Sequence, residues 1–177
     1  PYDYEFVVSY RFEALSIFVE LQLTNLGPTP IPWSAGHHFY FTLPWSVGRT
    51  RQDYSLETSA TKYLQRDERG GLYPAPRVSA QENLANKNLI DLIHTDLRHD
   101  TFTVTERPSG SQLLFRSGMT NEPARELAVV TWTQDDNSPY YCIEPWMGPP
   151  NAPENKVGVH RVAPGQTQKF YVEIKLN

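Results

Sequence analysis

Over residues 15–23 the chain alternates without a break. Leu15, Ile17, Val19, Leu21 and Leu23 point one way, and Ser16, Phe18, Glu20, Gln22 and Thr24 point the other. Successive side chains of an extended chain face opposite sides, so this period of two predicts a strand with one buried face. Tyr4, Phe6, Val8 and Tyr10 repeat the pattern upstream, and the short link between the runs predicts a hairpin. The chain closes the same way, with Phe170, Val172, Ile174 and Leu176 opposing Lys169, Tyr171, Glu173 and Lys175. Further strands are predicted over 101–106 and 112–116, joined by a turn at Pro108-Ser109-Gly110, and over 126–133 and 140–144. Prolines at 28, 30 and 32 make 25–32 a loop, because proline supplies no ladder donor. Residues 56–69 are polar and give no decisive pattern, and Gly70-Gly71 with Pro74 and Pro76 mark another loop. Ser79-Ala80-Gln81-Glu82 fits a capping box and predicts a short helix.

At least seven short strands with mostly sequential connections predict an all-β fold of antiparallel sheets packed as a β-sandwich. No repeat or linker divides 1–177, which is expected to be a single β-sandwich domain or a C-terminal fragment of a larger one. The chain opens at Pro1, and residues 2–8 already have a strand pattern, as if cut from something longer.

Composition narrows the function classes. Of 177 residues, 39% are apolar and 20% charged, a globular balance. Sixteen Lys and Arg against 20 Asp and Glu leave a net charge of −4, which argues against a nucleic-acid partner. No apolar run reaches the roughly 18 residues of a membrane span, so no membrane partner is expected. With no signal peptide at its start, the chain is expected in the cytoplasm. The single cysteine, Cys142, excludes an internal disulfide and a multi-cysteine zinc site. Fifteen prolines and 12% aromatic residues suit short strands and loops. Oligomeric state is not legible.

Two segments carry candidate chemistry. On the strand that leads into 142–152, Tyr140, Cys142 and Glu144 share one face. Pro145 is expected to end the ladder, so that Glu144 leaves the sheet and faces a cleft. Trp146 follows at once, and an indole beside a carboxylate suits a sugar, whose C–H faces stack while its oxygens hydrogen-bond. The plainer alternative is a solvated Glu144 and a Trp146 that caps the core. In 36–41, an extended Gly36-His37-His38-Phe39-Tyr40-Phe41 puts His38 and Tyr40 opposite His37, Phe39 and Phe41. Parity does not say which histidine faces a cleft, and a histidine held by the backbone remains the alternative.

Taken together, these segments resemble the aldose 1-epimerase (galactose mutarotase-like) family. The family pattern is matched by Asn25, Pro32, Gly36 and His38-Phe39-Tyr40-Phe41, then by Glu144-Pro145-Trp146 and Pro149-Pro150-Asn151-Ala152, then by Pro164-Gly165 before the last strand. The resemblance implies a galactose mutarotase-like supersandwich with an open sugar cleft and a small-molecule sugar substrate. It implies exchange of α and β anomers, with His38 as general acid and Glu144 as general base. Asp91 resembles the aspartate that holds substrate hydroxyls, with Asp96 a rival for the role. Trp146 and Tyr40, beside His38 in the motif, are the further candidate sugar contacts.

Such a reaction moves two protons and calls for no cofactor and no metal. A carboxylate (reference pKa ~4.3) and an imidazolium (~6.5) can be brought by burial and by each other's charge toward neutrality as base and acid. The family also carries an arginine and a second histidine upstream. Here only Arg11 lies upstream and no histidine precedes His37, so the N-terminal part of the family's domain is expected to be absent.

Two other classes compete. A non-catalytic sugar-binding sandwich would use Trp33, Trp45 and Trp146 as a platform without the acid–base pair. A glycoside hydrolase would pair Glu144 with Asp91 or Asp96 at about 5–10 Å. Among the remaining residues, His94, His99 and His160 lack metal-ligand spacing and are expected to be surface or capping groups. Cys142 is expected to be a buried inert thiol, and 66–69 a solvated loop.

Overall fold

The computed structural model describes residues 1–119 and 126–177. Two antiparallel sheets carry the fold. The first runs in the order β1 (Tyr4–Glu13), β2 (Ser16–Asn25), β15 (Thr167–Leu176), β11 (Gln112–Met119), β10 (Thr101–Glu106), β5 (Tyr54–Glu57) and β8 (Gln81–Asn83). The second runs β4 (Phe39–Thr42), β13 (Tyr140–Trp146), β12 (Ala128–Trp132), β9 (Leu92–Leu97), β6 (Ala60–Arg66) and β7 (Leu72–Pro74). A separate pair joins β3 (Ile31–Trp33) to β14 (His160–Val162).

The alternating strands bury their apolar sides against one another, as the sequence predicts for a sandwich. Val19, Leu21 and Leu23 of β2, Phe170, Val172 and Ile174 of β15, and Phe115 of β11 join Tyr141 and Ile143 of β13 and Val129 of β12 in one core. Phe41 of β4 meets Phe115 of β11 edge-on, with ring centroids 5.3 Å apart, so the two sheets touch directly. Each such side chain contributes about 1.5–3 kcal/mol when fully buried.

Asn25 ends β2 fully buried. Its amide donates to the carbonyls of Thr29 (2.8 Å) and Val162 (2.9 Å) and accepts from the Gly27 N–H (3.0 Å). The three-proline loop is short of N–H groups of its own, and this side chain supplies the donors that pin it to β14.

The edge strand β1 keeps the core-side parity without the cover. Tyr4, Phe6, Val8, Tyr10 and Phe12 stand opposite Asn25, Leu23, Leu21, Val19 and Ile17, yet all five are exposed, Phe12 by 72%. Among the described residues, no helix is long and apolar enough to cross a membrane.

Three local expectations change. Residues 79–82 form no helix. The Glu82 carboxylate does accept from the Ser79 N–H (3.2 Å), but Gln81–Asn83 pairs with β5 as β8. With so few apolar positions at helical spacing, no packed face exists to stabilise a helix nucleus. The patternless 56–69 region resolves into the end of β5 and β6, and Arg66 closes β6 instead of lying in a solvated loop. Pro145 does not end the ladder at Glu144. β13 continues through it, with Val129 opposite Pro145 and Ala128 opposite Trp146. The proline has no N–H to offer, but its carbonyl accepts from the His37 backbone (3.0 Å), which ties in the next segment.

Candidate active site

Register decides which side chains share the outer face of the six-stranded sheet. Tyr141 and Ile143 of β13 point into the core, so Tyr140, Cys142, Glu144 and Trp146 point outward. Tyr40 stands opposite Cys142, which puts Tyr40 and His38 on the outer face and Phe39 and Phe41 on the core face. Val130 and Trp132 of β12, Ile93 of β9 and Leu64 of β6 share the same side. Ile93, Ala128 and Val130 are buried there under Leu64, Leu72 and Trp146, and form an apolar floor.

The parity question over the histidines is settled by this pairing. His38 Nε2 lies 3.1 Å from Glu144 Oε1, with His38 43% exposed and the Glu144 side chain only 5%. His37 turns the other way. It stacks on Phe39 with ring centroids 3.6 Å apart, and Tyr10 Oη is 3.4 Å from its Nε2. The Trp146 indole donates to the second Glu144 oxygen (3.2 Å). Trp146 is itself seated against Gly36, with which it forms a lone antiparallel bridge. One carboxylate oxygen therefore faces an imidazole, and the other is fixed by an indole N–H. Burial pushes the Glu144 carboxyl above the usual carboxylate range; His38, the Trp146 hydrogen bond and Arg66 pull it partly back, and Asp91 pushes it up again.

Asp91 precedes β9 in a left-handed backbone conformation (φ 57°), which a non-glycine residue adopts at a cost. The Arg66 guanidinium binds its Oδ1 at 2.5 Å. Both charges act on the Glu144 carboxyl. Asp96 is elsewhere, paired with Lys62 at 3.2 Å. Of the two candidate aspartates, Asp91 is the one whose charge bears on Glu144.

Aromatic rings wall the His38 side. Tyr40 stacks on His38 (4.9 Å), Tyr140 meets Tyr40 edge-on (5.1 Å), and Trp132 packs against His38 and Tyr140 (5.9 and 6.1 Å). Of the three tryptophans proposed as one platform, Trp33 and Trp146 line one cavity and Trp45 stands apart. Trp45 packs on Tyr54 (5.0 Å), and Trp33 is buried with its indole on Gln168 (2.5 Å). The tryptophan that does join the wall is Trp132. Arg66 was hidden by its polar, patternless surroundings, and only the β6–β9 pairing brings it to Asp91. A cavity of about 990 Å³ is lined by Trp33 and Trp146 with Pro149, Asn151, Lys156 and Arg161, and does not include His38 or Glu144.

The other polar candidates divide. Cys142 is fully buried, as expected, and burial together with the Glu144 charge pushes its thiol up to about 12. Its sulfur nevertheless lies within 4.8 Å of the His38 and Glu144 ligand atoms. His94 corrects the surface expectation. It is buried between Thr58 (3.4 Å) and Thr131 (3.3 Å), and burial pulls its ring down to about 3, so it stays neutral. The His160 ring is 3.1 Å from the Met147 carbonyl, a capping contact as expected.

Comparison with known proteins agrees with this fold. The family model for aldose 1-epimerase matches residues 1–175. The chromosomal LacX protein of Lactococcus lactis is 29% identical over 191 residues, covering 99% of this chain and 62% of that protein. The chain thus spans about three-fifths of the length of the curated relatives it matches. A crystallised protein of Synechocystis sp. PCC 6803 is 25% identical with a TM-score of 0.75, over 100% of this chain and 56% of its own. A galactose mutarotase related enzyme of Lactobacillus acidophilus, 20% identical, superposes with a TM-score of 0.79 over 100% of this chain and 62% of its own. With the fold, the motif residues and the family model in agreement over nearly the whole chain, it belongs to the aldose 1-epimerase family.

Proposed function

We propose that this chain is an isomerase that interconverts the α and β anomers of a hexose by opening and reclosing the sugar ring. The observation that carries the reading is the 3.1 Å contact between His38 and Glu144 on an open sheet face. Glu144 takes the proton from the C1 hydroxyl, and protonated His38 gives one to the ring oxygen. The C1–O bond of the ring breaks as the C1 carbonyl forms. Rotation about C1–C2 presents the other carbonyl face, and reclosure returns both protons along the same path. No atom is gained or lost.

The surroundings support these roles. The raised carboxyl makes Glu144 a stronger base than a solvated glutamate, closer to the pH at which it works. Trp146 holds one of its oxygens, which leaves the other for the substrate proton. In the absence of sugar, the two groups satisfy each other; a C1 hydroxyl and a ring oxygen would replace that contact with two hydrogen bonds. Asp91, oriented by Arg66, accepts sugar hydroxyls, and Tyr40 and Trp146 offer faces to the C–H side of the ring.

The test is polarimetry on freshly dissolved α-glucose and α-galactose, with the chain beside its Glu144→Gln and His38→Ala variants. Positioned proton transfer contributes about 10²–10⁴-fold, so each variant should fall by that order toward the uncatalysed rate. Equal rates for all three overturn the assignment. Sugar binding that quenches tryptophan fluorescence equally in all three, with no acceleration, would identify a binding module instead.

A further inference from the structure

Proton transfer leaves Cys142 unused, although it lies beneath both reacting groups. Cys142 and Glu144 are two residues apart on β13, on one face, and Tyr40, opposite Cys142, is two residues from His38. The Cys142 sulfur, a His38 ring nitrogen and a Glu144 carboxylate oxygen all lie within 4.8 Å of one another. Metal–ligand bonds of about 2.0–2.3 Å in a tetrahedron place neighbouring donor atoms about 3.3–3.8 Å apart. The His38–Glu144 edge, at 3.1 Å, is already close to that spacing. These donors are one thiolate, one imidazole and one carboxylate. Magnesium and calcium prefer all-oxygen shells, whereas zinc accepts this mixture. Three donors from the protein leave a fourth position, and His38 is exposed on the open sheet face, where water or a hydroxyl could fill it.

We propose that His38, Cys142 and Glu144 form a zinc-binding site on the open face of the six-stranded sheet, and that a bound zinc ion blocks anomer exchange. On binding, the Cys142 S–H bond breaks, the sulfur pair forms the bond to zinc, and the proton passes to solvent. The metal takes the imidazole lone pair and the carboxylate oxygen that the sugar reaction needs, so metal and catalysis exclude each other. Only this inhibitory half rests on the proposed function; the site itself rests on three donor atoms.

Cobalt(II) is the probe, because a thiolate ligand gives a near-ultraviolet charge-transfer band that histidine and carboxylate do not. The reduced, metal-free chain should show that band at one equivalent of cobalt, with the visible bands of a four-coordinate ion, and zinc should remove both. Cys142→Ser should abolish the band while keeping the sugar reaction, and should weaken zinc inhibition by at least tenfold. His38→Ala, at the exposed end of the trio, should weaken the band without depending on how Cys142→Ser folds. Absence of the band in the unaltered chain, or an identical band in Cys142→Ser, overturns the proposal. A cobalt band in a chain whose metal-free form shows no mutarotation supports the metal site and refutes the isomerase reading, so the two failures are distinguishable.

Discussion

Gly36 is the position at which one added methyl group should reach the chemistry. A Cβ built there would sit 2.1 Å from Trp146 Cδ2, 2.2 Å from Cε3 and 2.7 Å from Cγ. The shortest of these falls about 1.3 Å short of the 3.4 Å at which ordinary contact begins, so the indole has to move by that order. Its Nε1 is 3.2 Å from Glu144 Oε2, near the limit of a hydrogen bond, and such a displacement breaks it. A hydrogen bond to a charged group contributes about 1.5–3 kcal/mol, and each 1.36 kcal/mol is tenfold in rate. Gly36→Ala should therefore slow mutarotation about 10- to 150-fold. Overpacking should also cost about 1–3 kcal/mol of stability, read as a lower Tm by circular dichroism. Trp146→Phe removes the same donor directly and should reproduce most of the rate loss. Because both changes act through the indole, the double variant should lose little more than either alone. A Gly36→Ala chain with an unaltered rate and Tm would refute this reasoning.

Other consequences are open to simple assays. Arg66→Met should raise the KM for the sugar several-fold and lower kcat less, because Arg66 holds Asp91 and reaches Glu144 only through its charge; equal falls in both constants would contradict that. Glu106 is buried and accepts from Ser109 (2.5 Å), Tyr54 (2.7 Å) and Ser46 (3.3 Å), and these bonds hold its carboxyl below the usual range. A depressed carboxyl adds stability above its unfolded pKa of ~4.3 and loses it as pH falls through the lower folded value. Glu106→Gln should therefore lower Tm at pH 7, with the gap from the parent closing in the acid range; a gap that widens there would contradict the sign. The uncovered aromatic face of β1 should bind a hydrophobic dye and promote self-association, and Phe6→Lys with Phe12→Lys should reduce both, as read by dye fluorescence and sedimentation.

The parts of the fold that could be read in the sequence are those where one face is buried and the other wet. β2 and β15 alternate because the core and solvent impose opposite demands on neighbouring residues, and both runs are visible in the sequence. β6 and β8 were not legible. Their identity comes from pairing with β9 and β5, and pairing partners distant in the chain leave little trace in local composition. At the site, Glu144 and Trp146 could be recognised from adjacency and His38 from its motif. Which histidine faced outward could not be read, because parity within 36–41 has no reference until Tyr40 is set against Cys142. Arg66 and Trp132 were missed for the same reason. The face they share exists only once five strands lie side by side. Pro145 shows a local rule yielding to context, since its missing donor is tolerated where its carbonyl still binds His37.

The most direct test of the central claim is a double-mutant cycle on anomer exchange, with His38→Ala, Glu144→Gln and both together, followed by polarimetry. Two groups that move protons on one substrate in one step act as a unit, so the double variant should be about as slow as the slower single one. Losses that multiply, or a single variant that keeps the full rate, would contradict a shared site.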